Sequence, residues 1–307
     1  MIITITLNPA MDKTATIDEL FVGELNRLLS VRVDVAGKGI NVSKSISALG
    51  GASIAVGFVG TDNREMLLNA LESIGITADF INTRSNIRTN LKIIDNLGRL
   101  TELNEPGIEV TQAEADALLD KITNVVRSGT IVVMSGSLCQ GVDCEFYARL
   151  IRQIHKNGGF AFLDTSGDAL RAAIKEKPDF IKPNKHELME FFGINDDISY
   201  DNMQKLCQQL MGFGIPKIAL SLGRDGAMFF DNKNYFRAEG LNVNALSPVG
   251  AGDNMMGAIA YAVERNMPWQ ECARLAVAAS AGAVTTQGTN PPSRTLVDEL
   301  AGQVRFV

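Results

Sequence analysis

Histidine is almost missing from this chain of 307 residues, which carries only His155 and His186. Acid–base chemistry by imidazole and a His-rich zinc site therefore have little to draw on. The four cysteines, Cys139, Cys144, Cys207 and Cys272, include no C-x-x-C pair. They read as reduced thiols of a cytoplasmic protein, not as a disulfide framework or a metal site. No G-x-x-x-x-G-K-S/T occurs, which excludes a P-loop enzyme, and no H-E-x-x-H or G-x-S-x-G points to a protease or esterase. The opening apolar run is not followed by G-x-G-x-x-G, which weighs against a dinucleotide enzyme. No apolar stretch approaches a membrane span, and Met1–Leu7 lacks the basic flank of a signal peptide. Positive charge is also short: the net charge is −6 and the pI near 5.1, against a nucleic-acid or membrane partner.

What is present suits a single large α/β unit over residues 1–307, with 46% hydrophobic residues and no Pro- or Ser-rich linker. Short apolar runs alternate with longer amphipathic ones, the pattern of a doubly wound, mostly parallel sheet flanked by helices. Strands are expected at Ile2–Leu7, Ser53–Val59, Thr130–Met134, Gly159–Leu163, Phe180–Ile181 and Pro216–Leu220. Helices are expected at Gly39–Leu49, Arg64–Ile74, Gln112–Val126, Cys144–Lys156, Lys185–Phe192, Tyr200–Phe213, Asn254–Arg265 and Trp269–Ala283. Four strands in succession end in polar, Gly-containing turns, and in open α/β sheets that carboxyl edge holds the ligand crevice. Residues from about 14 to 35 and 88 to 102 break the rhythm. They read as a small β sheet with a hairpin at Asp95–Gly98, either a lid over the crevice or an extension used for dimer contacts.

The run Ser247-Pro-Val-Gly-Ala-Gly-Asp253-Asn-Met-Met-Gly257 concentrates the chemistry. A Gly-Ala-Gly turn opening a helix offers free N–H groups and a positive dipole end to an anion. A carboxylate there repels the anion, so Asp253 makes sense as a base that deprotonates a hydroxyl attacking a bound phosphate; the plain alternative is a helix cap. A second Gly-rich turn, Ala36-Gly-Lys38-Gly-Ile-Asn41, could hold a sugar hydroxyl or a phosphate.

Together these residues resemble the phosphofructokinase-B, or ribokinase-like, carbohydrate kinases from end to end. The matches run in family order: Thr6-Leu-Asn-Pro-Ala-Met-Asp12, Gly37-Lys-Gly39-Ile-Asn41-Val-Ser, Arg88-Thr-Asn90-Leu-Lys92 and Ser135-Gly-Ser137-Leu. Asp164-Thr-Ser166, Lys182-Pro-Asn184-Lys-His-Glu187-Leu, Ser221-Leu-Gly223-Arg-Asp-Gly226-Ala and Val249-Gly-Ala-Gly252-Asp253 complete the series. The resemblance implies a ribokinase-like fold with a β lid and ATP-dependent phosphorylation of a phosphosugar. The preferred substrate is D-fructose 1-phosphate, phosphorylated at its C6 hydroxyl; tagatose 6-phosphate and fructose 6-phosphate are alternatives. A sugar-phosphate-binding regulator with a dead kinase fold is the non-enzyme alternative, disfavoured by the intact Asp253 turn.

The same resemblance implies the site. Asp253 is the base, with Gly250, Ala251 and Gly252 as the anion hole. Asp12, Gly37, Gly39, Asn41 and Asn90 take the sugar, while Arg27, Lys38 and Arg88 take its phosphate. Lys182, Asn184, Ser221, Gly223 and Gly226 line the ATP site, and Glu187 organises Mg2+ through water. Lys92 reads as an ordinary solvated charge. A homodimer through the lid is expected. Three departures from the family pattern stand out: Asn254 in place of Ser or Ala, Cys139 and Gln140 in place of Pro residues, and Ile87 before Arg88 where Thr is usual.

Overall fold

The computed structural model describes residues 1–307. Strands β1 (Ile2–Thr6), β2 (Ala10–Thr16) and β3 (Ser30–Ala36) lead into helix α1 (Lys38–Ala48). Next come β4 (Ser53–Gly60), α2 (Arg64–Glu72) and the short β5 (Thr77–Ala78) and β6 (Ile81–Thr83). A hairpin of β7 (Arg88–Ile94) and β8 (Leu100–Asn104) follows, then α3 (Gln112–Val125), β9 (Ile131–Ser135) and α4 (Phe146–Lys156). The chain continues through β10 (Phe160–Asp164), α5 (Gly167–Ile174), β11 (Phe180–Ile181), α6 (Lys185–Phe192) and α7 (Tyr200–Gly212). Strands β12 (Lys217–Ser221), β13 (Ala227–Asp231) and β14 (Tyr235–Ala238) precede α8 (Ala251–Glu264), α9 (Trp269–Ala283) and α10 (Arg294–Ala301).

The main sheet runs β14-β13-β12-β11-β10-β9-β1-β4-β5, with β6 also on β4; all pairs are parallel except β12–β13 and β13–β14. Alternate residues of each strand feed different cores, as the two-residue strand period requires. Ile3, Ile5, Val132 and Met134 pack under α2 to α7, and Ile2, Ile131 and Val133 pack against α1, α8, α9 and α10. Chain direction across the sheet switches at β1, flanked by β9 and β4, and there the carboxyl ends of the strands open a crevice. No helix is long and apolar enough to cross a membrane.

A second sheet, β3-β2-β7-β8, stands over that crevice. Its register sorts the side chains into two faces. Asp34, Asp12, Asn90 and Asn104 form one row, and Arg32, Thr14, Lys92 and Glu102 the next, all on the same side. The alternate row, Val33, Lys13, Leu91 and Leu103, lies on the other face, where Val33 and Leu103 are exposed.

The expected strands and helices of the main body are all present, Lys185–Phe192 and Trp269–Ala283 with the boundaries read from the sequence. The small sheet starts earlier than residue 14, at Ala10, so Asp12 belongs to it and not to the end of the first strand. Residues 18 to 28 form no strand, which makes the first half of the small sheet two short strands and not one extended segment. Helix α8 begins at Ala251, three residues before the expected start, because Gly252 enters the first turn although glycine is a poor helix former. Helices α5 and α10, of eight residues each, gave too little periodic signal to be read.

Candidate active site

Thirteen of the expected site residues converge on a polar cavity of about 410 Å³ between the two sheets, and Asp253 sits at its floor. The turn before it owes its shape to Gly250, whose φ of 82° lies in the left-handed region that only glycine enters cheaply. Gly250 and Gly252 line the cavity. The first-turn N–H groups of α8 have no acceptor within the helix; Ala251 N–H turns back toward the Pro248 carbonyl at 3.4 Å. Asn254, the departure from the family pattern, donates from its side chain to the Gly250 carbonyl at 2.9 Å and so braces the turn.

Asp253 is buried and accepts a 2.8 Å hydrogen bond from the Asn41 amide of α1. Burial is the main reason its carboxyl is pushed up to about 6; the nearby Asp164 adds to the rise, and Lys38, Asn41 and Lys182 oppose it. A carboxylate tuned in that way suits proton abstraction near neutral pH.

Asp164, at the end of β10, is the residue the sequence reading left without a role. It is 1% exposed, in ion-pair range of Lys182 Nζ at 3.3 Å and Lys38 Nζ at 3.6 Å. Neither of its oxygens accepts an aligned hydrogen bond. Asp164 first, then Asp253 and Glu187, hold the Lys38 ammonium above the usual lysine range against the opposing effect of burial. Two lysines and two carboxylates thus face one another across the floor of the cavity, a balanced set that an arriving polyanion would upset in favour of the lysines. The signal for Asp164 was available: a carboxylate directly after the apolar run Phe160–Leu163, at the crevice end of a central strand.

The wall made by the small sheet carries Asp12. Lys92 Nζ donates to Asp12 Oδ2 at 2.6 Å and Asn90 donates to Asp12 Oδ1 at 2.9 Å. Lys92 is therefore not the solvated charge expected from the sequence: alternation along β7 turns it inward, and it is buried against the carboxylate it neutralises. Arg88 lies at the base of the same strand, with burial lowering its guanidinium pKa and Asp12 opposing.

Of the five expected residues outside the lining of this cavity, Ala251, Gly223 and Gly226 line a neighbouring cavity, and Arg27 and Gly39 line neither. Arg27 is exposed in the segment between β2 and β3 and reaches no wall of the cavity within this chain. Gly39 is buried behind the Gly37–Lys38 turn, where a Cβ would lie 2.4 Å from the Ile5 carbonyl oxygen; it lets α1 sit on β1 and does not itself face a ligand.

A second cavity of about 650 Å³ adjoins the first and is lined by Gly223, Gly226, Leu241, Val243, Ala251 and Val277 among others. Its walls are largely apolar, and it meets the polar cavity at the α8 turn. Lys182, Asn184, Glu187 and Ser221 line the polar side of that junction. Asn184 and Glu187 form a capping box on α6: Glu187 N–H donates to Asn184 Oδ1 at 2.8 Å, and Asn184 N–H donates to Glu187 Oε2 at 2.9 Å. Glu187 thus has a structural duty that fixes where its carboxylate sits.

An apolar slot and a polar, cation-bearing cavity meeting at a glycine turn with a buried carboxylate can accommodate a phosphoryl-transfer reaction. The sequence matches the pfkB family carbohydrate kinases over residues 3–296. The chain belongs to that family. It is 32% identical to 1-phosphofructokinase of Vibrio cholerae, over 99% of this chain and 96% of that one. It is 35% identical to 1-phosphofructokinase of Borreliella burgdorferi, over 91% and 90% of the two chains. Its structure is similar to that of Escherichia coli phosphofructokinase-2 in complex with fructose-6-phosphate, with TM-score 0.92, 28% identity and 98% of each chain covered. It also resembles Thermotoga maritima ribokinase in fold, at TM-score 0.79 and 18% identity. This pfkB-family enzyme is a sugar-phosphate kinase that transfers a phosphoryl group to a hydroxyl, with ATP as the co-substrate the family implies.

The elevated Asp253 carboxyl makes a stability prediction. A carboxyl held above its ordinary 3.8 binds its proton more tightly folded than unfolded, so its contribution is fully present below about pH 4 and is lost as pH rises through about 6. At neutral pH the ionised group costs roughly 3 kcal/mol, from about two pKa units at 1.36 kcal/mol each. Thermal unfolding of Asp253→Asn should therefore show a Tm above the parent's at pH 8, with the gap closing toward pH 4. A gap that stays constant over that range would mean the carboxyl titrates normally.

Proposed function

We propose that this kinase phosphorylates D-fructose 1-phosphate at its C6 hydroxyl, giving D-fructose 1,6-bisphosphate. The observation that carries a phosphosugar over a free sugar is a third cavity of about 190 Å³, lined by Thr6, Asn8, Lys38, Arg88, Ser135 to Ser137, Thr165 and Ser166, with no apolar side chain. Lys38 and Arg88 are shared between it and the main polar cavity. Thr6 Oγ1, Asn8 Oδ1, Ser135 Oγ and Arg88 Nε are buried there with no partner inside the protein. Buried polar atoms are normally paired, so this cluster fits a ligand rich in oxygen. Arg88 supplies the planar donor fork that suits a phosphate. The curated relatives named 1-phosphofructokinase favour fructose 1-phosphate. A neighbour solved with fructose-6-phosphate makes 6-phosphofructokinase activity the second reading, with tagatose 6-phosphate close behind.

In the chemical step Asp253 takes the proton of the sugar hydroxyl as its oxygen attacks the γ-phosphorus. The bond from that phosphorus to the β–γ bridging oxygen breaks, and ADP leaves. Gly250, Gly252 and the free N–H groups of the α8 turn receive the charge on the transferring phosphoryl oxygens. The adenine end of ATP fits the apolar cavity beside Gly223, Gly226 and Ala251, and Lys38 and Lys182 turn from Asp164 toward the phosphates. No three acidic or His side chains gather into a metal cage. Mg2+ commonly uses one or two carboxylates with substrate phosphates and water, and the unbonded oxygens of Asp164 together with Glu187 fit that need. Bound there, the ion would neutralise charge between the β- and γ-phosphates.

The small sheet serves as a lid, its polar face toward the sugar, keeping water from the γ-phosphoryl. Its outer face and the adjoining segment expose Val22, Leu25, Leu29, Val31, Val33 and Leu103, which we assign to contact with a second copy of the chain. A tetrameric form has been seen for E. coli phosphofructokinase-2. Four unpaired cysteines, three of them buried, suit a reducing cytoplasm.

Initial rates across fructose 1-phosphate, fructose 6-phosphate, tagatose 6-phosphate, fructose and ribose test the assignment. The highest kcat/KM should fall on fructose 1-phosphate; equal rates on fructose and fructose 1-phosphate would overturn the phosphosugar reading. Arg88→Ala should raise KM for the sugar phosphate by roughly 10- to 150-fold, the worth of a hydrogen bond to a charged group, with little change in KM for ATP. Sedimentation at micromolar concentration should show a dimer, and a strict monomer with substrate present would remove the proposed interface.

A further inference from the structure

Lys44 is a buried cation with no part in the chemistry described above. It lies in the middle of α1, 6% exposed, and its ammonium donates to the Val35 carbonyl at 2.6 Å. A buried ammonium is costly to keep, and a Met or Leu would fill the same space without that cost. No carboxylate forms an ion pair with it. Burial holds Lys44 below the usual lysine range; Asp34, Asp12 and Asp253 work against that shift, and Arg32 adds to it. Those carboxylates come from three elements, β3, β2 and α8. Each is engaged elsewhere: Asp34 by Arg32, Asp12 by Lys92 and Asn90, Asp253 by Asn41.

The position of the bond matters more than its strength. Val35 is the penultimate residue of β3, the last strand of the small sheet before the chain enters α1. Asn41, which holds Asp253, lies three residues before Lys44 on the same helix, hence on the same side. A cavity of about 340 Å³ opens beside this root, lined by Val33, Asp34, Lys44, Ala70, Ile74 and Pro291 among others. Packing is thinner on that side, and the Lys44–Val35 bond ties the end of β3, which is paired to β2 through Met11 and Ala10, to α1.

We propose that Lys44 is a positioning residue that couples the lid to the Asn41–Asp253 pair, so that the sugar is held at the base only when the lid root is in place. The inference rests on the phosphosugar-kinase reading. Lys44→Met should lower kcat/KM for the sugar phosphate on the order of 10-fold or more, as small displacements of a positioned base do. It should also raise ATP hydrolysis without sugar relative to transfer, while ATP affinity by calorimetry changes less than about two-fold. Lys44→Arg, which keeps charge and donors, should recover most of the loss.

Parent-like kcat/KM and an unchanged hydrolysis-to-transfer ratio in Lys44→Met would overturn the inference. So would an equal loss of sugar and ATP binding, the mark of general loosening. Should Lys44→Met fail to fold, Lys44→Gln, which removes the charge and shortens the reach to the Val35 carbonyl but keeps a polar end, reads the same joint: a raised hydrolysis-to-transfer ratio supports the coupling, and a parent-like ratio overturns it. A parent enzyme inactive on every phosphosugar would remove the functional reading and this inference with it, whereas an active parent with an indifferent Lys44→Met removes the inference alone.

Discussion

The hydrogen bond between Asn41 and Asp253 joins the first turns of two helices that come from opposite ends of the sequence, and the rest of the site is built around it. Helix α1 follows the small sheet directly, and α8 follows the glycine turn, so this single contact brings the small-sheet wall and the glycine turn into one frame. It also tempers the shift of the Asp253 carboxyl. Burial and then Asp164 push the Asp253 carboxyl up, Lys38, the Asn41 amide and Lys182 oppose the rise, and it stands at about 6. A base in that range is ionised at neutral pH and still binds a proton strongly enough to take one from a hydroxyl.

An acidic protein that handles two phosphorylated ligands must place its few cations with care. Lys38 and Lys182 share Asp164, Lys92 is held by Asp12, and Lys44 stands among three carboxylates without pairing to any of them. Lys182 and Lys92 are thus balanced inside the protein before a ligand arrives, whereas Lys44 is satisfied only by the Val35 carbonyl. Such balance lowers the electrostatic cost of the empty site, and it leaves the lysines free to exchange an internal carboxylate for a phosphate without a large change in net local charge. The neutral, oxygen-rich lining around Thr6, Asn8 and Ser135 then adds hydrogen bonds without further repulsion or attraction.

Much of this was legible in the sequence because the informative residues are local. The Val249–Asp253 turn, the Gly37–Asn41 turn and the Lys182–Glu187 run each lie within a few residues of chain, so their residue types and spacing could be read directly, although the Asn184–Glu187 capping box within the last was not. What escaped was set by tertiary register. Lys92 looks like a solvated charge until β7 is paired with β2 and alternation turns it toward Asp12. Asp164 has no local partner, since both of its lysines come from other elements. Arg27 went the other way: its type suits phosphate, yet it is exposed between β2 and β3 and lines neither polar cavity. The lid boundary slipped from 14 to 10 because Pro9 and the short turn before it gave no pattern to count.

The central claim is that Asp253 acts as a base and not as a helix cap, and the turnover of Asp253→Asn tests it most directly. Asparagine keeps the size of the side chain and an oxygen to accept from Asn41 but cannot take the proton. The account predicts a fall in kcat of roughly 10²- to 10⁴-fold, the usual worth of a positioned general base, with ATP affinity largely kept. A variant that turned over within a few-fold of the parent would contradict it and leave Asp253 as no more than the buried partner of Asn41, since α8 is capped at Gly250 without any side chain.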